Sequence, residues 1–282
     1  MGEATTAEVL TGEFRAPHNG FQQAPGSIHN DEVASKLGFK GGTVPGSVHM
    51  DQFVPLLLDV YGPQWFERGT ISLHFTQATV DREAVQAAVQ PGPERALLRM
   101  FNEAGAQVCV GDASVGDRDQ GSEVARRMAE QAQVDHAALK IFADIRVGDT
   151  TSDIPMKVSR EDYNRSLDRI TERLPIYDEK GVLSPAHIIR LAHMSRPFVL
   201  AKGRQPYVGL FGALEVRQLK GPVLADRDYV GRTTMLKITE SPRTENVWYV
   251  VDIADAATGE DVASVTFQIR GMKASSPLYA AS

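Results

Sequence analysis

Apolar residues recur at helical spacing through Val48, Phe53, Val54, Leu57, Leu58 and Tyr61. That stripe predicts a helix with one face against a core. Pro45 stands just ahead of it, where a missing N–H costs nothing, and Pro55 inside it predicts a kink. After Gly62-Pro63 the pattern changes. Segments 71–75, 84–89, 96–101 and 108–115 read as strands, with Gln90-Pro-Gly-Pro93 and Asn102-Glu-Ala-Gly105 as turn material. The later part of the chain repeats the programme. Pro185 opens a second apolar helical stretch, and strands are expected at 208–216, 229–238, 247–253 and 262–269. A helix followed by an antiparallel meander, twice over, is an α+β pattern.

Landmarks in the same order support an internal duplication. His29 to Phe39 answers Leu167 to Tyr177, each ending on an aromatic residue. Thr43-Val44-Pro45 answers Leu183-Ser184-Pro185, Asp81-Arg82 answers Asp226-Arg227, and Gly105 answers Gly259. The expected organisation is an N-terminal half over 1–117, a linker over 118–140 and a C-terminal half over 141–282. Asp117 to Ser122 reads as a polar loop, and Ser122 is placed to cap a linking helix from Glu123 to about Gln133. A half of this kind leaves a sheet edge open. Pairing two halves edge to edge, helices on one side, covers one edge of each.

Composition narrows the function. The chain has 282 residues, 42% hydrophobic and 23% charged, with net charge −6. That excess of acid argues against nucleic acid or an anionic membrane as the main partner. No apolar run is long enough to span a bilayer. The start, Met-Gly-Glu-Ala-Thr-Thr, has neither a basic nor an apolar stretch, so a cytoplasmic protein is expected; Gly2 with Thr6 only partly fits an acylation signal. Cys109 is the single cysteine, which excludes an intrachain disulfide and a thiolate metal cage. Its apolar surroundings predict a buried structural thiol. His187 and His193 are six apart on the second helix and do not share a face, so no metal pair is expected. No Gly-rich nucleotide loop appears.

Several pieces of the first half resemble the MaoC-like enoyl-CoA hydratase/dehydratase family: His29-Asn-Asp31, Ala34, Gly38-Phe39, Gly41-Gly42, Pro45-Gly46-Ser47, Phe75-Thr-Gln-Ala-Thr79 and Gly111-Asp-Ala-Ser-Val-Gly116. The resemblance implies a double hotdog fold, two halves each with a long helix on an antiparallel sheet. It implies reversible addition of water to a trans-2-enoyl thioester, with no cofactor beyond the CoA or carrier-protein thioester of the substrate itself. In the family an Asp-x-Asn-x-x-His loop holds and deprotonates the water, and a Gly N–H at the helix start meets the thioester oxygen. Carried onto this chain, those roles fall on His29 and Gly46. Ala24 and Gly26 stand where the family has Asp and Asn. The second half has Asp162 and Asn164 with Leu167 in place of His, so neither half carries the complete set.

The chemistry agrees with general principles. A histidine is the natural base near neutral pH, and a developing oxyanion needs fixed N–H donors. Gln22, Gln23 or Asp31 are available to assist His29. Asp31, Ser47, His49 and Asp51 are the candidate substrate-binding residues, Ser47, His49 and Asp51 lying in the first turns of the helix after Pro45. Against these roles, Asn30 and Asp31-Glu32 make an ordinary helix cap and first turn. Ser159 to Asp162 makes a capping box. Arg190, Arg196, Lys202 and Arg204 form a basic stretch suited either to solvent or to CoA phosphates. Three readings stay open: a hydratase or dehydratase; a hotdog thioesterase, which would aim Asp31 or Asp51 at the thioester carbon; and a non-catalytic acyl-thioester-binding protein. Pairing with a second copy as a homodimer stays open too.

Overall fold

The computed structural model describes residues 8–24, 26–116, 121–151 and 153–280. The acylation-signal reading at Gly2 and Thr6, and Asp117–Gln120 of the polar loop, lie outside the described residues.

The first half runs β1 (Leu10–Thr11), α1 (Asp31–Lys36), α2 (Gly46–Asp51), α3 (Val54–Tyr61), α4 (Trp65–Arg68), β2 (Gly69–Phe75), β3 (Val85–Gln90), β4 (Ala96–Asn102) and β5 (Gln107–Val115). A connecting helix, α5 (Glu123–Glu130), follows, with Ser122 accepting from the Ala125 N–H. The second half runs β6 (Ile154–Met156), α6 (Arg160–Leu167), α7 (Pro175–Lys180), α8 (Pro185–Ala192), α9 (Arg196–Ala201), β7 (Gly209–Gln218), β8 (Tyr229–Glu240), β9 (Thr244–Asp255) and β10 (Asp261–Met272).

Among the described residues ten strands form one antiparallel sheet in the order β1-β3-β4-β5-β2-β7-β10-β9-β8-β6. The order is palindromic: β2 answers β7, β5 answers β10, β4 answers β9, β3 answers β8, and the short edges β1 and β6 answer each other. The halves join where β2 pairs β7, with Ser72 opposite Glu215 near the middle of the ladder. Gly105 and Gly259 have φ of +77° and +72°, as a true repeat requires. The other pair of positive φ values falls on Arg82 and Asp226, both +61°, so the Asp-Arg landmark is out of register by one residue.

Each expected long helix is broken. Pro55 sits in the first turn of α3, and the break falls earlier, at Gln52-Phe53, because a proline is tolerated only where its missing N–H is not needed. In the second half a 3₁₀ turn at His193–Ser195 separates α8 from α9. The apolar faces of α2, α3 and α8 meet the inward residues of the sheet, Ile71, Leu73, Leu98, Met100, Leu214, Val216, Val265 and Phe267 among them, in one continuous core. Cys109 belongs to that core, and burial pushes its thiol well up. Among the described residues no helix is long and apolar enough to cross a membrane.

Candidate functional site

His29 sits at the end of a turn, immediately before the Asn30 cap of α1; the Asn30 side chain accepts from the Glu32 and Val33 N–H groups. Three contacts fix it. The buried Asn19 amide donates to the His29 carbonyl at 2.8 Å. Asn19 is itself held by its N–H to Asp81 at 2.7 Å. Gly42 packs so closely that a Cβ there would lie 2.1 Å from the His29 oxygen, so only glycine allows that approach.

The imidazole is half-buried. Its Nδ1 lies 2.7 Å from the Thr43 carbonyl oxygen. A carbonyl only accepts, so Nδ1 carries the proton. Nε2 therefore keeps its lone pair, and it has no hydrogen-bond partner among the described residues. Burial lowers the His29 pKa; the Thr43 carbonyl opposes that, and the charge of Arg196 adds to it. A neutral histidine with an unbonded Nε2 is a competent proton acceptor.

Thr43 leads through Val44 and Pro45 into α2. The Gly46 N–H has no acceptor among the described residues, and Pro45 supplies no side-chain cap. A Cβ on Gly46 would lie 2.7 Å from the Phe75 ring, so glycine is also needed to seat the helix start on β2. Ser47, next along, is half-buried. His29, Gly46 and Ser47 thus belong to one loop-and-helix unit tied together by the Thr43 bond.

The remaining candidates have other partners. Asp31 accepts from the Gly42 N–H at 2.7 Å and so staples the loop behind His29. His49 is buried, with Nε2 2.8 Å from Thr79 Oγ1, and burial lowers its pKa to about 4. Asp51 is buried and reaches into the other half. It accepts from Ser184 Oγ and from the Ala186 N–H, each at 2.9 Å. Ala186 follows Pro185 as Gly46 follows Pro45, so the second half's equivalent N–H is already taken by a carboxylate. Ser184 lies 2.7 Å from His187 Nδ1, and His187 Nε2 lies 2.7 Å from Ser166 Oγ. Burial raises the Asp51 pKa to about 7, against the two hydrogen bonds it accepts. Asp162 is engaged at its own helix start, where Ser159 is the cap: Ser159 Oγ accepts from the Asp162 N–H at 3.1 Å and donates to its carboxylate at 2.8 Å. Among the described residues no group of acids, histidines or cysteines is placed to hold a metal.

Residues without a sequence signal complete the neighbourhood. Phe21 lies over His29 with ring centroids 5.8 Å apart, and the Arg169 guanidinium sits 5.7 Å above Phe21. Arg169 and Arg196 come from the second half, so the approach to His29 is built by both halves. Asn-Gly at Asn19-Gly20 is an ordinary turn signal; nothing in it announces a contact ten residues away.

No protein-family profile matches the sequence, and no curated protein matches it. Solved structures do match, over nearly the whole chain. One is a putative MaoC domain protein dehydratase from Chloroflexus aurantiacus, with TM-score 0.62 and 12% identity, covering 95% of this chain and 95% of that one. A second is a conserved hypothetical protein from Mycobacterium tuberculosis with a double hotdog fold, TM-score 0.58 and 13% identity, covering 96% and 97%. This chain has a double hotdog fold. A third likeness, to a MaoC-like dehydratase, has TM-score 0.52 and 14% identity and covers 95% and 99%. The fold implied by the loop resemblance is thus the one observed, and the similarity at this level of identity is one of architecture.

Proposed function

We propose that this double hotdog is an acyl-thioester hydratase or dehydratase with one working site, in the first half. The observation that carries the reading is the tautomer of His29. Its Nδ1–H is fixed on the carbonyl of Thr43, in the loop that leads into the Gly46 helix start, at 2.7 Å, which leaves Nε2 as an unbonded acceptor.

In the hydration direction, His29 Nε2 takes a proton from water as the water oxygen bonds to C3 of the enoyl thioester. The C2–C3 π electrons move to C2, and the negative charge spreads onto the thioester oxygen, where the Gly46 N–H donates to it. The imidazolium then returns the proton to C2. Atoms and charge balance with no cofactor, and the reverse sequence expels water. With Ala24 at the family's aspartate position the water lacks that carboxylate, and a lower rate than that of an Asp-assisted site is expected. Two features support a single site: the Ala186 N–H is occupied by Asp51, and Leu167 stands where a second histidine would.

The test follows the enoyl-thioester absorbance with crotonyl-CoA and a longer trans-2-enoyl-CoA. Wild type is expected to consume the absorbance, and His29→Ala to lose about 10²- to 10⁴-fold in kcat/KM. Equal rates for the two proteins would remove His29 from the mechanism. A second reading, a non-catalytic acyl-thioester-binding protein, is favoured by one observation: the His29 ring is bonded to the Thr43 carbonyl and, among the described residues, to no carboxylate. Binding of acyl-CoA with no turnover at any chain length selects that reading. Nothing favours the thioesterase reading, since the carboxylates it needs, Asp31 and Asp51, are engaged on Gly42 and on Ser184 with Ala186.

A further inference from the structure

The face of the sheet turned away from the core carries a second group of polar side chains, at the junction of the halves. On β2, Ile71 and Leu73 point into the core, so Ser72 and His74 point to the opposite face. There Ser72 Oγ accepts from the Val124 N–H of α5 at 2.9 Å, and Val124 and Met128 pack with Ala213 and Trp248. His74 stands opposite Ala213 of β7. The next residue of β7 has no opposite number: Gln268 faces Ala213 and Ile269 faces Phe211, so the strand bulges at Gly212.

Two side chains of β10 lie over that bulge. A Cβ on Gly212 would fall 2.1 Å from Gln268 Oε1 and 2.3 Å from Arg270 Nε, so only glycine leaves room for both where they lie. The Arg270 side chain is half-buried and has neither an ion pair nor a hydrogen bond among the described residues. Arginines beside it under and on α5 are balanced: Arg95 and Arg126 meet Asp112, and Arg127 meets Glu123. Gln268 is 1% exposed, and its orientation is fixed by a neighbour. Trp248 Nε1 can only donate, and it donates to Gln131 Oε1 at 3.1 Å. Gln268 therefore presents Nε2 to that oxygen, at 3.2 Å, and its own Oε1 is left buried without a donor among the described residues. His74 Nδ1 is likewise buried without a partner among them. Burial lowers the His74 pKa to about 4, and the charges of Arg127 and Arg270 add to that, so the ring is neutral.

An unpaired, half-buried guanidinium is completed by an anion, and a buried acceptor without a donor is completed by a hydroxyl. A phosphate group that keeps one proton supplies both. We propose that the bulge at Gly212 is a phosphate site formed by Arg270, Gln268 and His74. The anionic oxygens accept from Arg270, the phosphate hydroxyl donates to Gln268 Oε1, and His74 closes the side formed by β2. A carboxylate or a sulfate brings charge without a hydroxyl and leaves Gln268 Oε1 unfilled. The ligand is free phosphate or a phosphate monoester. This site lies on the opposite face of the sheet from the core and stands apart from the acyl-thioester reading. His74 belongs to the first half and Arg270 to the second, so a phosphate held here ties the halves together at their junction.

The test titrates inorganic phosphate, methyl phosphate and sulfate by calorimetry at constant ionic strength, with the thermal midpoint followed in parallel. It is run at about pH 6, where inorganic phosphate and a monoester both keep a substantial protonated fraction. Inorganic phosphate is expected to bind wild type at least about tenfold more tightly than sulfate. At about ten times its dissociation constant it is expected to raise the midpoint by about 2–4 °C. Arg270→Gln is expected to lose that response and, in chloride alone, to unfold no lower than wild type, because it removes an unpaired charge. Gly212→Ala keeps Arg270 but fills the space over the bulge. The atoms it displaces are the ends of flexible side chains, so it is expected to fold and to lose phosphate binding as well. Methyl phosphate that matches inorganic phosphate assigns the site to a monoester, and methyl phosphate at least about tenfold weaker assigns it to free phosphate. No phosphate binding to wild type overturns the proposal. So does equal binding of sulfate, or an undiminished response in Arg270→Gln, which would place the anion elsewhere.

Discussion

Asp51, Ser184, His187 and Ser166 form a buried chain whose donors can be counted. With Asp51 ionised, the Ser184 hydroxyl donates to it, His187 Nδ1–H donates to Ser184, and Ser166 donates to His187 Nε2. With Asp51 protonated, every donor reverses, and the Ser166 hydroxyl turns to the Tyr163 carbonyl at 2.7 Å. Both arrangements satisfy the chain, so one proton decides its polarity. The stability consequence has a definite sign. The folded pKa, about 7, lies above the unfolded carboxyl value of about 4. Below both values the proton is bound in either state. Between them the unfolded chain ionises while the folded one does not, so stability falls as pH rises through that window and levels off above it. Asp51→Asn keeps the protonated pattern, Oδ1 accepting from Ala186 and Nδ2 donating to Ser184. The stability of wild type relative to Asp51→Asn is therefore expected to fall by a few kcal/mol between about pH 4 and about pH 7, read from denaturant unfolding. A pH-independent difference would mean that Asp51 stays ionised in the folded protein. At His29 the sign is the reverse. Burial and Arg196 hold it neutral, so the acid limb of kcat/KM is expected below the ordinary histidine pKa of about 6.5. Arg196→Gln should move that limb upward.

At the scale of elements, the seat of α2 on β2 couples packing to chemistry. In Gly46→Ala the new methyl meets the Phe75 ring at 2.7 Å. Overpacking of this kind costs about 1–3 kcal/mol. Adding Phe75→Leu is expected to restore most of the stability while leaving the loss of hydration, if the altered helix start misplaces the Gly46 N–H. Recovery of both would assign Gly46 to packing alone. This element also marks how far the sequence could be read. The eight longer strands were legible to within about three residues, because period-two runs bounded by Gly and Pro turns are a local signal, whereas the short edge strands β1 and β6 carry too few residues to show one. Pro45, Asn30 and Ser122 marked helix starts for the same reason. The helix breaks were less legible: Pro55 announced an irregularity, but its position followed from where the proline ring fits, one turn earlier than the residue itself. The site was legible only in its local part, His29 with Thr43 to Ser47. Asp51 meets Ser184 across 133 positions, and the charge of Arg196 reaches His29 from the other half. No periodicity carries such contacts, and a buried aspartate in a helix reads the same whether it faces a substrate or another helix.

At the scale of the molecule, the palindromic sheet is what a symmetric dimer of halves would make, and the two halves have since diverged at their junction. In the β2–β7 ladder Ser72 faces Glu215, which is almost fully buried beside Arg217 at 3.7 Å. If the second half paired with a copy of itself in the register that a two-fold axis demands, Glu215 would face Glu215. Directly opposed like charges destabilise a strand pair, and burial makes the repulsion worse. The isolated second half would also lack Asp51, leaving the Ala186 N–H and Ser184 without their acceptor. A fragment covering 133–282 is therefore expected to fail as a stable dimer in sedimentation, remaining unfolded or associating without a defined size. Glu215→Ser in that fragment recreates the Ser72 side of the junction and removes the opposed charges, so a discrete dimer with cooperative unfolding is expected. A wild-type fragment that already forms a stable dimer would show that the junction has kept its symmetry. Failure of both fragments would place the missing stability on Asp51 rather than on the ladder. Co-expressing the first half, which supplies Ser72 and Asp51 together, then separates the two contributions: Asp51→Asn in that half tests the helix cap, and Ser72→Glu tests the strand pair.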